Sequence, residues 1–339
     1  MIIDLRSDTV TKPTKAMLDA MMSAPVGDDV FNEDPTILAL EEKTAKLFNQ
    51  PAGLFCPSGT MTNQIAIKCH TQPGDELLCD VNSHIYNYEG GGISSNSGVQ
   101  AKLLYGDRGR ITAEQIEQNI NLDYDWLTRT ALVSLENTVN RAGGSYYDLA
   151  EIKKIKQLCV AKNLPLHLDG ARIFNALVES NYTAETIGNE FDSISVCLSK
   201  GLGAPVGSVL LGTKEFIRKA RRVRKVFGGG MRQAGFLAAA GIYALDNNIN
   251  RLKEDHQRAK QIEAMLKSLP FVESIMPVDT NILIFNLNEK FTGTQFEKTL
   301  ADNHIKCAAF GKQTIRFVTH LDFTDDMLAQ LEVIFKTKF

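Results

Sequence analysis

The run Ile194-Ser-Val-Cys-Leu-Ser-Lys200 passes from alternating β-branched and small residues straight into a lysine, and Gly201-Leu-Gly-Ala-Pro-Val-Gly207 follows it. Alternation of this kind predicts a buried strand. The glycines and proline predict a loop directly behind it. A lysine is seldom fully buried without a partner. Lys200 therefore either snorkels to the surface from a strand end, or stands in a cleft where burial lowers its pKa. In the second case its amine is a nucleophile able to form a Schiff base with a carbonyl compound. The residues placed around it decide between the two.

Strand and helix signals alternate on both sides of this run. Segments 53–57, 76–80, 101–105, 131–135, 164–169, 192–199 and 208–211 read as strands, with helical patterns at 36–48, 61–68 and 148–162. That order predicts an α/β fold with a mostly parallel central sheet and helices on both faces. Residues 1–35, with Pro13, Pro25 and Pro35, read as irregular. Past Leu245 a charged helix at 250–269 precedes strands at 281–286 and 314–319 and helices near 294–302 and from 324. The 339 residues suit two domains. A large domain over 1–245 and a small α+β domain over 246–339 are expected.

A net charge of −3 argues against general nucleic-acid binding. The six cysteines stand singly, without a C-x-x-C, so a reducing compartment is expected and no structural zinc or other metal site. The first eight residues lack an apolar signal core, and Ala234 to Leu245 is too short to span a bilayer and reads as a buried helix. A cytoplasmic protein that neither binds nor enters a membrane is the expectation.

Asp169, in Leu164-Pro-Leu-His-Leu-Asp169-Gly-Ala-Arg172, falls at a strand's carboxyl end as Lys200 does. Ligands of open parallel sheets sit beyond those ends. Asp169 either caps the next helix or holds a proton on a heteroaromatic nitrogen. Cys56-Pro-Ser58-Gly59-Thr60 lies between a strand and a helix, where free amides and the helix dipole favour a phosphate, although the same residue types serve as simple N-caps. Ile217 to Arg232 carries seven cationic residues around Gly228-Gly-Gly230, most of them expected on a solvated helix face, with one or two able to reach a phosphate. His84 follows a strand end and can be structural, stack on a planar ring or move protons. An amine, an acid for a ring nitrogen, an anion cradle and a stacking group on the loops of one sheet are together what pyridoxal phosphate requires.

The chain resembles the low-specificity threonine aldolases. The resemblance rests on Asp4-Leu-Arg-Ser-Asp-Thr-Val-Thr11, Val26-Gly-Asp-Asp29, Pro57-Ser-Gly-Thr60, Ser134-Leu-Glu-Asn-Thr138, His167-Leu-Asp-Gly-Ala-Arg-Ile-Phe-Asn175, Leu198-Ser-Lys-Gly-Leu-Gly203, Gly228-Gly-Gly-Met-Arg-Gln233, Ala238-Ala-Ala-Gly-Ile-Tyr-Ala244 and Arg316-Phe-Val-Thr-His-Leu321. It implies the aspartate-aminotransferase-like fold of type-I pyridoxal-phosphate enzymes, and retro-aldol cleavage of an amino-acid substrate to glycine and an aldehyde. It further implies that Lys200 carries the cofactor, Asp169 pairs with its ring nitrogen and His84 stacks on the ring; His84, directly or through water, is then the candidate base for the β-hydroxyl proton. Ser58, Gly59 and Thr60 would hold the phosphate, with Arg232 reaching it from a neighbouring subunit of a homotetramer and Lys225 near the site. Ser7, Arg172 and Arg316 would bind the substrate carboxylate, and His167 would support from behind. Relatives often carry a second active-site histidine upstream of Ser134. Here none lies between His84 and His167, and Leu122-Asp-Tyr-Asp-Trp-Leu-Thr-Arg129 occupies that stretch. Weak discrimination between L-threonine and L-allo-threonine is the expectation. A β-eliminating lyase, an aminotransferase and a catalytically silent oligomeric homologue are the competing readings.

Overall fold

A computed structural model describes residues 2–338. The strands, in chain order, are β1 (Ile3–Asp4), β2 (Ala52–Cys56), β3 (Glu76–Asp80), β4 (Gln100–Leu104), β5 (Thr130–Glu136), β6 (Leu166–Gly170), β7 (Ser193–Cys197), β8 (Ser208–Gly212), β9 (Val272–Ile275), β10 (Ile282–Leu287), β11 (Ile305–Lys306), β12 (Ala308–Ala309) and β13 (Thr314–Val318). Seven of them form the main sheet in the order β2-β8-β7-β6-β5-β3-β4. All neighbours from β7 to β4 are parallel, whereas β8 runs antiparallel to both β7 and β2. The reversed strand is what lets a short loop, not a helical crossover, join β7 to β8. Lys200 stands on that loop.

All residues of β3, β5, β6, β7 and β8 are buried, as strands covered on both faces must be. The two faces nevertheless differ. Leu166, Leu168, Ile194, Val196, Val209 and Leu211 face the largest apolar core. The alternate residues His167, Asp169, Ser193, Ser195 and Ser208 face helix Gly59–His70, where they bond to Thr62, Asn63 and His70.

Helices at Pro35–Leu47, Leu149–Ala161, Gly235–Asn247, Leu252–Lys267, Gly293–Asp302 and Asp325–Lys338 fall where the sequence patterns put them. Residues 1–35 are less irregular than expected. Thr14 caps a helix over Lys15–Met22 by accepting the Met17 N–H, and Met17 is fully buried. The short β1 pairs in parallel with β11, and Ile3 and Leu5 enter the apolar core beneath the antiparallel sheet β12-β13-β10-β9. Two-residue strands carry too little periodicity to be seen in sequence. All six cysteines are free and buried. No helix among the described residues is long and apolar enough to cross a membrane.

Candidate active site

The carboxyl ends of β6 and β7 and the N-terminus of helix Gly59–His70 enclose a cavity of about 130 Å³. Gly59, Thr60, Asn63, His84, Asp169 and Lys200 are on its wall. Lys200 leaves β7 on a turn closed by Gly203 N–H donating to Lys200 O at 2.8 Å, with Gly203 at φ +77°. Glycine adopts that conformation without steric cost. The Lys200 side chain is half-buried, and among the described residues its amine takes part in no hydrogen bond or ion pair. It is an amine held at a cleft, not one snorkelling beyond it.

Asp169 does not cap the next helix, Ile173–Ser180, which has no side-chain cap. Its Oδ1 accepts the Ala171 N–H at 3.1 Å and its Oδ2 accepts from Asn63 Nδ2 at 3.0 Å. His84 opens a short helix, His84–Asn87, and its Nδ1 lies 3.0 Å from Glu89 Oε1. Its backbone N–H donates to Glu136 Oε2 at 2.8 Å. Burial works against a protonated His84, but the bond to Glu89 and the charge of Asp169 overcome it and raise its pKa. Burial, and next the charge of Asp169, raise the Glu136 carboxyl. One ligand atom from each of His84, Glu89 and Asp169 lies within 4.8 Å of the others, so the cleft is rich in negative charge.

Ser58 is exposed and caps helix Gly59–His70 by accepting the Met61 N–H at 3.2 Å. Gly59 has a different reason to be there: a Cβ on it would stand 2.5 Å from Cys197 Sγ. Only glycine lets this helix end approach β7 so closely, and the free amides of that end are a ready anion site.

Two guanidinium groups converge beside the cleft. Arg172 is bound on two sides by Asp8, whose Oδ2 accepts from Nε at 2.8 Å and Oδ1 from Nη2 at 2.7 Å. Burial would raise the Asp8 carboxyl, yet Arg172 brings it down to about 2. Arg316 donates to Asn140 Oδ1 and to Arg6 O, both at 2.8 Å, and lies 4.3 Å over the Phe310 ring. It has no carboxylate partner among the described residues, and its Nε is buried without an acceptor. Burial, then the charge of Arg172, depress Arg316 to about 10. Ser7 is half-buried beside this pair and accepts the Thr9 N–H at 3.2 Å.

Lys225 and Arg232 are exposed and lie outside the cleft of their own chain. Arg232 Nη1 bonds to Asp28 Oδ2 at 2.9 Å. The helix Lys214–Val226 is not the solvated face expected of it throughout. Arg224 is buried, paired to Asp29 and donating to Phe55 O at 2.6 Å, which accounts for Asp29 in Val26-Gly-Asp-Asp29. Asn63, Glu89, Glu136 and Asn140 join the site without a sequence signal of their own that marks them. For Asn63 the one hint is its position four residues beyond Gly59, one helical turn along the same face.

The mostly parallel sheet covered by helices is that of an α/β enzyme of the fold-type-I class, with a half-buried amine, a buried carboxylate and a helix N-terminus at its strand ends and the Arg316 guanidinium of β13 beside them. The chain belongs to the beta-eliminating lyase family, whose model matches residues 4–290. It is 41% identical over 331 residues to the low specificity L-threonine aldolase of Escherichia coli K12, covering 97% of both chains. It is 40% identical to low-specificity L-threonine aldolase 1 of Arabidopsis thaliana, covering 95% of this chain and 92% of the relative. The solved structure of Leishmania major threonine aldolase superposes with a TM-score of 0.85 at 20% identity, over 98% of each chain.

Proposed function

We propose that this chain is a pyridoxal-phosphate-dependent aldehyde lyase that cleaves L-threonine, L-allo-threonine and related β-hydroxy-α-amino acids to glycine and an aldehyde. The observation that carries the reading is the unpartnered Lys200 amine sharing one cleft with the buried Asp169 carboxylate. The names of the relatives at 40–41% identity support the same reaction.

The donor set fits the cofactor. Lys200 would anchor its aldehyde carbon, Asp169 would face its ring nitrogen and His84 would lie against the ring. The close approach of Gly59 to β7 leaves its amide and that of Thr60 open to the phosphate, with Ser58 beside them. Arg232 and Lys225 would come to the phosphate and the cleft from a neighbouring subunit of a homotetramer, since each is exposed and away from its own cleft. When bound, pyridoxal phosphate supplies an electron sink at its protonated ring nitrogen.

Ser7, Arg172 and Arg316 take the substrate carboxylate and thereby fix rotation about the amino acid's Cα. Arg316 is the stronger case, because a buried guanidinium without an anion is costly and a carboxylate satisfies it. His84 then takes the β-hydroxyl proton as the aldehyde departs, help that is typically worth about 10²–10⁴-fold. The large cofactor-binding unit is placed over residues 1–245 and the small one over 246–339, with β1 and Leu5 reaching across into the core of the small one, and the protein acts in the cytoplasm.

The test is the purified protein with L-threonine. A yellow protein releasing glycine and acetaldehyde is expected, and Lys200→Ala should be colourless and inactive. Ammonia with a keto acid would make it an eliminating lyase, and a keto acid without ammonia, formed only with an amino acceptor, an aminotransferase; retained aldolase activity in Lys200→Ala would falsify the assignment.

A further inference from the structure

The face of the main sheet beneath helix Gly59–His70 is polar where such an interface is ordinarily apolar. His167 pairs in register with Ser193, and Asp169 with Ser195. Above them Asn63 and His70 stand seven residues apart, about two turns, on the sheet-facing side of the helix. Buried polar groups are destabilising unless each finds a partner. Here they do so in a single file. Asp169 Oδ2 accepts from Asn63 Nδ2 at 3.0 Å, and Asn63 Oδ1 lies 3.2 Å from His167 Nε2. His167 Nδ1 lies 2.8 Å from Ser193 Oγ, which lies 2.8 Å from His70 Nε2.

The direction of every hydrogen in this file is fixed by its first member. Asn63 Nδ2 gives one proton to Asp169 and the other to Glu89 Oε1, at 2.9 Å. The reverse amide would set its oxygen against two carboxylates. Asn63 Oδ1 must therefore accept, which puts a proton on His167 Nε2. Burial pushes His167 down to about 4 against the pull of Asp169, and His70 down to about 3, with His167 and Lys219 adding to the fall and Asp192 opposing it. Each ring is then neutral with one proton. His167 Nδ1 accepts from the Ser193 hydroxyl, and Ser193, its proton committed, accepts from His70 Nε2–H. All links point toward Asp169.

We propose that His70, Ser193, His167 and Asn63 form a one-way hydrogen-bonded relay that locks the Asn63 amide with its donors toward the cleft and so holds Asp169 oriented on the cofactor's ring nitrogen. The four are positioning residues, since none needs to touch the reacting atoms. The orientation of Asp169 on a ring nitrogen rests on the function proposed above; the polarity of the file does not. An apolar file of similar shape would pack at least as well, so stability alone gives no reason for four polar residues here.

Nitrogen-15 spectra of histidine-labelled protein, with and without added pyridoxal phosphate, test the polarity. Both His70 and His167 should carry their proton on Nε2 and stay neutral between about pH 5 and 8. A proton on Nδ1 of either ring, or a titration inside that window, overturns the relay. Ser193→Ala cuts the file and Ser193→Thr restores a hydroxyl. The apparent Kd for pyridoxal phosphate, read by absorbance after equilibrium dialysis below both variants' Tm, should rise about tenfold in the alanine variant and return most of the way in the threonine one. Equal Kd values, with only Tm lowered in Ser193→Ala, would leave a purely structural role and overturn the positioning. A wild-type protein that binds no pyridoxal phosphate would sink the proposed function instead, while the nitrogen spectra would still decide the polarity.

Discussion

Asp8 and Arg172, 164 residues apart, form a two-pronged ion pair in which both side chains are buried. Removing one member of such a pair leaves the other charge uncompensated, and Asp8→Ala should cost about 3–5 kcal/mol in urea unfolding. The folded Asp8 carboxyl sits at about 2, below its ordinary value of 3.8. Its contribution is complete above pH 3.8 and is lost only as pH falls through about 2. The deficit of Asp8→Ala relative to the parent should therefore be the same at pH 5 and pH 7. A deficit that disappears by pH 5 would contradict the pairing.

His84 must be neutral to accept a proton, and Glu89 with Asp169 raises its pKa against burial. The acid limb of kcat/KM should accordingly lie above the ordinary histidine value of about 6.5. Glu89→Gln keeps the shape of the partner and removes its charge, and should move that limb to lower pH. A limb unchanged by Glu89→Gln would take His84 out of the base role.

Arg316 has a buried guanidinium and, among the described residues, no carboxylate partner. Arg316→Ala should raise KM for L-threonine by about 10- to 100-fold, the usual weight of hydrogen bonds to a charged group. Arg316→Lys should recover only part, because a lysine cannot offer the planar fork. An unchanged KM in steady-state assays would place the substrate carboxylate elsewhere.

His167 is neutral in the folded protein down to about pH 4, whereas an unfolded histidine takes up its proton near 6.5. Its depressed pKa means that the unfolded chain binds more protons between those values, so stability falls as pH drops from 6.5 toward 4. Between pH 7 and 5 this residue alone should remove about 2 kcal/mol, visible as a lower urea midpoint. His167→Gln should remove its own share of that slope and leave the share that the likewise depressed His70 contributes, whatever its stability at pH 7.

The stretch 122–129 carries no histidine, and Trp126 is exposed, its ring stacked on Tyr124 at 4.9 Å. With His84 as the one group proposed to meet the β-hydroxyl and no second histidine to fix its side, the site should reject the wrong isomer weakly. The kcat/KM values for L-threonine and L-allo-threonine should then lie within about tenfold of each other. A hundredfold preference, measured by aldehyde release, would require a second hydroxyl-binding group besides His84.

What sequence reveals here follows from length of signal. The strands of the main sheet and the long helices declare themselves by periodicity, and Lys200, Asp169 and His84 by standing at strand ends. The direction of β8 left no mark, because a buried strand reads alike in either sense. Asn63 and Glu89 were hidden for another reason: each looks like an ordinary polar residue until the helix is laid on the sheet. The serines alternating with Ile194 and Val196 were visible throughout, and a polar face on a buried strand was the one available hint of the file behind Asp169.

The pairing of β1 with β11 reaches further than its two residues suggest. Ser7 and Asp8 follow a strand stitched to the C-terminal sheet, yet Asp8 grips an arginine that follows β6 of the main sheet. The opening segment is thus a strap fastened at both ends, and any rocking of one part against the other would pull on the Asp8–Arg172 pair. Motion of the C-terminal layer would be geared directly to how Arg172 is presented.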